Sequence, residues 1–297
     1  MAALYQFTRF PDPAALKSGL VETCVSHGVK GSLLLAREGI NGTIAGTRDG
    51  IDAVLAALRA LPGCAELEWK ESFAEEMPFG RMKVKLKREI VTMGQPDVDP
   101  LARVGNYVSA REWNALIADP DTVVIDTRND YEVAIGTFKG AVDPKTRAFG
   151  EFPDWWQAHR EEFAGKRIAM FCTGGIRCEK STNYLLGQGL NEVYHLKGGI
   201  LKYLEEVPEA ESLWRGQCFV FDDRVSVGQG LQPGDLKSCG GCRRPVTAAD
   251  EADPRYEEGV TCPACKGEYS EADRARFRER HHQMLLAAAR GSQHFGG

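Results

Sequence analysis

Apolar and polar positions change period several times along the first part of the chain. Leu4 to Phe10 alternates like a strand, and Pro13 to His27 has helical spacing. Gly31 to Ala36 and Gly42 to Ala45 read as two strands joined by Arg37-Glu38-Gly39-Ile40-Asn41. Ile51 to Leu61 predicts an amphipathic helix with Ile51, Val54, Leu55 and Leu58 on one face. Glu66 to Trp69 and Arg81 to Val91 supply further strand. The order β-α-β-β-α-β predicts a ferredoxin-like α+β sandwich over residues 1–94, one sheet face covered by helices and the other open. The polar, proline-bounded stretch Gly94-Gln95-Pro96-Asp97-Val98-Asp99-Pro100 is read as a linker.

From Asn106 the pattern alternates helix and strand. Ser109 caps a helix to Ala118, Thr122 to Asp126 is a buried strand, and Asp154 to Phe163 is a helix. Arg167 to Phe171 is a short apolar strand, Cys178 to Leu186 a helix, Asn191 to His195 a strand, and Gly198 to Glu206 a closing helix. Such alternation predicts a second domain, residues 101–213, of α/β class with a parallel sheet covered on both faces. Catalytic loops of such sheets lie at the carboxyl ends of strands, where Cys172 falls.

Residues 214–297 change character. Cys239-Gly240-Gly241-Cys242 and Cys262-Pro263-Ala264-Cys265 are two Cys-x-x-Cys pairs with 19 residues between them, the spacing of a structural four-thiolate zinc site. The polar segment between them has too little apolar content to form a core without such a staple. A helix follows, capped at Ser270 with Asp273 three residues on, and it carries Arg274, Arg276, Arg278 and Arg280. Those arginines either hold RNA or solvate a helix in which Glu271, Asp273 and Glu279 interleave with them.

Composition narrows the classes. With 297 residues and a net charge of -5, no global basic field announces a nucleic-acid partner, so any such contact is local. No apolar run approaches the length of a membrane span, and Met1 to Phe10 lacks the order of a signal peptide. A cytoplasmic protein is expected. Nine cysteines, four of them in the paired motifs, suit a reducing compartment with metal or catalytic roles.

The loop after Phe171 carries the chemistry. Cys172-Thr173-Gly174-Gly175-Ile176-Arg177-Cys178 places a thiol at a strand-to-helix turn, where glycines let backbone N–H groups aim at the sulfur. The helix dipole and the Arg177 guanidinium add positive potential, so Cys172 is the expected thiolate nucleophile. Cys172 and Arg177 are separated by four residues, one fewer than in the Cys-x5-Arg loop of phosphatases, which makes persulfide chemistry the better fit. Cys178 is either a resolving thiol or a small buried side chain. In Arg81-Met82-Lys83-Val84-Lys85-Leu86-Lys87, alternation sends Met82, Val84 and Leu86 to one face and Arg81, Lys83, Lys85 and Lys87 to the other. This stripe either tracks RNA phosphates or guards a sheet edge against aggregation, and Trp69 on a neighbouring strand either stacks on a base or belongs to the core.

The strand, Cys-x4-Arg loop and helix resemble the active-site loop of rhodanese domains. Asp126-Thr127-Arg128 with Tyr131-Glu132, and His195-Leu196-Lys197-Gly198-Gly199, resemble other parts of that family, over about Asn106 to Val207. The resemblance implies that Cys172 bears the persulfide, that Arg177 closes the loop, and that Asp126 and Arg128 support it. Together with Arg37-Glu38-Gly39-Ile40-Asn41-Gly42-Thr43, Met82 to Lys85, and Gln217-Cys218-Phe219-Val220-Phe221-Asp222-Asp223-Arg224-Val225, the chain is similar to the rhodanese-domain tRNA uridine hydroxylases of the TrhO type. That resemblance implies O2-dependent hydroxylation at C5 of the wobble uridine, position 34, to 5-hydroxyuridine, with the tRNA anticodon arm as partner and O2 as co-substrate. No flavin or nicotinamide fingerprint is present. The alternative is a sulfurtransferase passing persulfide sulfur from Cys172 to an acceptor.

Overall fold

The computed structural model describes residues 1–74, 77–222 and 224–290; Asp223 of the Gln217–Val225 motif and the last seven residues of the tail lie outside them. The N-terminal unit comprises β1 (Ala2–Phe7), α1 (Pro13–Ser26), β2 (Lys30–Ala36), β3 (Gly39–Ala45), α2 (Arg48–Arg59), β4 (Trp69–Glu71) and β5 (Met82–Leu86). Its sheet order is β4-β1-β3-β2-β5. The first four strands and two helices make the expected ferredoxin-like layer. Ala2, Leu4, Leu33, Leu35 and Ile44 pack under Ile51, Val54, Leu55 and Leu58 of α2.

Two expectations change here. The basic strand does not close the β-α-β-β-α-β unit. The short β4 does so beside β1, and β5 is a fifth strand, parallel to β2 at the far edge. Met82 and Val84 reach the core as alternation requires, but Leu86, at the end of this edge strand, is left 45% exposed. Nor is the second sheet face wholly open. Phe7, Ala36 and Ile90, with Tyr5 and Val91, pack there against Ile176 of the Cys172 loop.

The central unit contains β6 (Asn106–Val108), α3 (Ala110–Ala118), β7 (Thr122–Asp126), α4 (Asp130–Val133), β8 (Gly136–Phe138), α5 (Phe152–His159), β9 (Arg167–Phe171), α6 (Ile176–Gly187), β10 (Val193–Leu196) and α7 (Gly199–Glu206). Ser109 and Glu112 form a reciprocal capping box at the start of α3. The expected helix through Phe163 ends at His159 and continues as a tighter 3-10 turn. Strands β6, β10, β9 and β7 form the parallel sheet in that order. One face is packed by Trp113, Phe138, Phe171, Tyr203 and Trp214, the other by Phe152, Trp156, Met170, Cys178 and Leu185. β9 is thus an interior strand, and its carboxyl end is rigidly placed.

Beyond it, β11 (Trp214–Gly216) pairs with β8, β12 (Cys218–Phe219) with β13 (Ser226–Val227), and β14 (Lys237–Ser238) with β15 (Pro245–Val246). Two helices, α8 (Ala248–Ala252) and α9 (Glu271–Ala289), complete a small cysteine-rich module, and Ser270 with Asp273 caps α9. Among the described residues no helix is long and apolar enough to cross a membrane.

Candidate active site and metal centre

Cys172 is the first residue past β9, and the chain must curl at once to start α6. Gly175 allows this with φ of 109°, a left-handed conformation that side chains resist. The curl turns donors onto the sulfur: Cys172 Sγ accepts from the Gly175 N–H at 3.1 Å and from the Cys178 backbone N–H and thiol. The start of α7 fixes the other side, where Ile200 N–H donates to Cys172 O (3.0 Å) and Leu201 N–H to Thr173 O (3.1 Å). Gly199 is needed there, because a Cβ would lie 2.4 Å from Cys172 O.

Cys172 is fully buried. Burial pushes its thiol up, but the Cys178 thiol, the Arg177 guanidinium and the two N–H groups outweigh burial and hold it below its usual range. Cys178 moves the opposite way, raised by burial, by its bond to Cys172 and by the charge on that sulfur. Its sulfur also lies 3.7 Å from Thr127 Oγ1. In this arrangement Cys178 is a donor to Cys172.

Arg177 does not face the sulfur unpaired. Its two terminal nitrogens donate to Glu132 at 2.7 and 2.8 Å, a buried bidentate pair. Asp126 and Arg128 form a second buried fork, at 2.9 and 2.6 Å, and Arg128 also donates to the carbonyls of Glu132 (3.2 Å) and Gly136 (2.6 Å). The guanidinium lies 5.1 Å from the Trp214 ring centroid. Asp126 and Arg128 thus brace the segment that carries Glu132, and Glu132 in turn holds Arg177. The Gln217–Val225 motif flanks this brace, with Phe219 edge-on to Tyr131 at 5.3 Å and Asp222 forked to Arg224.

Residues from the N-terminal sheet complete the mouth. Lys70 Nζ of β4 donates to Gly174 O at 3.1 Å and to Gly198 O. Burial pushes this amine down to about 8, partly offset by Cys172 and Cys218. Tyr5 donates to Glu179 at 2.7 Å, and Tyr107 bonds the same carboxyl, which burial holds above its usual range. Lys180, nearly inaccessible on α6, pairs with Glu38 at 2.8 Å and Glu89 at 2.6 Å. Glu132, Lys70 and Tyr5 were not singled out as site residues from sequence. Tyr131-Glu132 carried a resemblance but no charge argument, and a lysine beside Trp69 or a tyrosine on an alternating strand carries no local signal.

The stripe lies on the same sheet face as these residues. The register Lys70-Ala3-Thr43-Ser32-Lys83 makes one row across five strands, and Tyr5-Asn41-Leu34-Lys85 makes the next. Five strands span about 19 Å, so the rows lead from the Cys172 loop to the basic edge. Lys85 and Lys87 are exposed, Lys83 is half-buried, and Arg81 lies exposed just before β5. Trp69 pairs with Leu4 on the opposite, helix-covered face, under the Arg59 guanidinium at 4.4 Å. It is therefore a core residue and not a stacking platform.

The Sγ atoms of Cys239, Cys242, Cys262 and Cys265 all lie within 4.8 Å of one another, with Cys239–Cys265 and Cys242–Cys262 at 3.7 Å. Thiolates around a tetrahedral ion at ~2.3 Å would be separated by about 3.8 Å, so the set can hold a metal. Three of the four arginines of α9 fasten the helix to this module, while the exposed Arg276 pairs with Asp273 of the same helix. Arg274 donates to Tyr269 O (2.6 Å) and Lys266 O (3.1 Å), Arg278 to Glu257 (2.8 Å) and Glu271 (2.6 Å), and Arg280 to Gly240 O.

Residues 1–90 match the UPF0176 acylphosphatase like domain, and residues 109–206 the Rhodanese-like domain. The chain is 66% identical over 294 residues to the tRNA uridine(34) hydroxylase of Ruegeria pomeroyi, covering 99% of this chain and 98% of that protein. It is 64% identical over 290 residues to that of Roseobacter denitrificans, with 98% of each covered. Against that of Gluconobacter oxydans it is 61% identical over 300 residues, covering 100% of this chain and 96% of the other.

Proposed function

The chain belongs to the tRNA uridine(34) hydroxylase family, and on that premise we propose that it hydroxylates C5 of the wobble uridine of tRNA to 5-hydroxyuridine, with O2 as co-substrate. The observation that carries the reading for this chain is the donor-lined sulfur of Cys172. Uracil is a conjugated enone whose electrophilic carbon is C6. A thiolate that adds there forms the C6–S bond, breaks the C5=C6 π bond and moves that electron pair toward C5 and O4, so that C5 bonds one oxygen atom derived from O2. Loss of the C5 proton then expels the thiolate and restores C5=C6, while an external two-electron reductant takes the second oxygen atom to water. Cys172 is the catalytic residue in this reading. Arg177 and its Glu132 partner, Asp126 and Arg128 hold the cup, and Cys178 is its thiol donor. Because the sulfur is fully covered, a base enters only when the mouth opens locally.

The anticodon arm presents its wobble base unpaired, so no duplex need be broken. Arg81, Lys83, Lys85 and Lys87 track the phosphates of that arm along the edge of the N-terminal sheet. Zinc at Cys239, Cys242, Cys262 and Cys265 is structural, with no position left for a substrate. A division at residues 1–94, 101–213 and 214–297 and a cytoplasmic setting accompany this reading.

A second reading, transfer of persulfide sulfur from Cys172, is favoured by the N–H groups around the sulfur, which suit a persulfide anion equally well. Mass spectrometry of tRNA nucleosides from cells lacking the protein separates the two. Loss of 5-hydroxyuridine, restored by the wild-type chain and not by Cys172→Ser, is the expected result. Loss of a thiolated uridine with 5-hydroxyuridine intact would overturn hydroxylation in favour of sulfur transfer.

A further inference from the structure

The cations around Cys172 are not equivalent. Arg177 is paired with the bidentate Glu132, and Arg128 with Asp126. Lys202 is paired with Glu205 at 3.0 Å and Glu206 at 3.1 Å, and Lys180 with Glu38 and Glu89. Lys70 differs from all of these. Its two acceptors, Gly174 O and Gly198 O, are uncharged carbonyls, and among the described residues no carboxylate forms an ion pair with it. Its neighbour Glu71 turns instead to Arg48 at 2.7 Å. An ammonium removed from water and held only by neutral groups is costly unless a negative charge lies close by. Among the described residues the ionisable groups that bear most on Lys70 are Cys172, Cys218, Lys202 and Glu205, and Glu205 already faces Lys202. Those that bear on Cys172 include Cys178, Arg177, Tyr5 and Glu179.

We propose that Lys70, delivered by β4 of the N-terminal sheet, is the counter-cation of the Cys172 thiolate and a positioning residue of its cup. One amine thus performs two tasks. It ties the Gly174 and Gly198 carbonyls together across the mouth, and it adds a positive charge to that of Arg177, which Glu132 partly offsets. Burial depresses the proton affinity of the amine, and the Cys172 thiolate is the largest influence opposing that depression, as a counter-ion would be. The proposal gives the N-terminal unit a part in the chemistry as well as in holding RNA. Its kinetic consequence rests on the hydroxylase reading, whereas its electrostatic content does not.

The test compares Lys70→Gln, which keeps a hydrogen-bond donor and loses the charge, with Lys70→Arg, which keeps both, and with Lys202→Met, which removes a cation already paired. Thiolate absorbance near 240 nm is followed against pH in the full-length protein, with the same variant carrying Cys172→Ser subtracted. Removing a cation disfavours the anion, so Lys70→Gln should raise the Cys172 midpoint by about one pH unit, a tenfold change in proton affinity. Lys70→Arg and Lys202→Met should leave it in place. In turnover, Lys70→Gln should lower kcat near neutral pH, recover as pH rises, and leave KM for tRNA unchanged. An unshifted midpoint in Lys70→Gln, or an equal shift in Lys202→Met, overturns the proposal. A raised KM with unchanged kcat also overturns it, since it would make Lys70 an RNA contact. If Lys70→Gln loses its near-ultraviolet circular dichroism, Lys70→Arg decides alone, and a midpoint displaced by a unit there is equally fatal. Absence of hydroxylation by the wild-type protein would remove the functional premise while the titration still decides the electrostatics.

Discussion

In the central unit one sulfur gathers hydrogen-bond donors; in the C-terminal module four sulfurs gather one another. Cys172 sits under the Gly175 and Cys178 N–H groups with charged side chains behind it, whereas Cys239, Cys242, Cys262 and Cys265 converge in pairs 3.7 Å apart. A thiolate held by donors keeps a lone pair for an electrophile, while thiolates arranged about a shared ion direct theirs inward. The surroundings, more than the residue type, set what each sulfur can do.

Cys172→Ser would break that contrast most sharply. Hydroxylation of uridine 34 should fall by at least ~10³-fold, while tRNA affinity and metal content stay as in the wild type, measured by nucleoside mass spectrometry and elemental analysis. Substantial modification by this variant in a knockout strain would remove the nucleophile from the scheme. Cys262→Ser addresses the other pole. The metal should be lost, and with it the order of α8 and α9, since binding at such sites is worth on the order of 10 kcal/mol. Hydrogen exchange should quicken there and leave β9 and α6 protected; a metal-free module with slow exchange would show that the cysteines need no ion.

Glu132→Ala sharpens the comparison from the cup's side, because the cup depends on remote charges and the thiol cluster does not. Arg177 would be left buried without its partner, at a cost of about 3–5 kcal/mol in urea unfolding. Burial raises the Glu132 carboxyl, but Arg177 outweighs it and holds the group below its usual range. A depressed carboxylate contributes stability above its unfolded pKa, and this is lost as pH falls through the folded one. Glu132→Gln should accordingly flatten the acid limb of stability, and an unchanged limb would assign it to other carboxylates. The smallest effect is expected at the stripe. Replacing Lys83 and Lys85 with Gln should reduce the slope of log affinity against log salt by roughly 1.4, about 0.7 for each phosphate no longer neutralised. Stability should stay within about 0.5 kcal/mol. If affinity and slope are unchanged, the lysines only protect an edge and RNA is held elsewhere.

Local pattern was enough to place Cys172, because an apolar strand, a glycine pair and a helical run are contiguous in sequence. The cysteine pairs were legible for the same reason, and the capping boxes at Ser109 and Ser270 need only three-residue spacing. What escaped depends on contacts between distant segments. Lys70 reaches Gly174 and Gly198, and Tyr5 reaches Glu179, only because the sheet's second face docks on the loop. The position of β5 also escaped, since alternation tells which face a side chain takes but not which neighbour the strand joins. Trp69 shows the same limit: only its register with Leu4 tells which face of the sheet it occupies.

Lys180 has a consequence for modularity. Its ammonium belongs to α6, yet both carboxylates that pair with it, Glu38 and Glu89, come from the preceding segment of the chain, and Val91 supplies a further acceptor at 2.9 Å. Cutting the central unit out as a cassette would strand that ammonium on a surface shaped to exclude water, and the remaining half would keep two acids with no cation. The two halves are therefore wired as one circuit. Grafting this loop and helix onto another scaffold would require carrying Glu38 and Glu89 along with it.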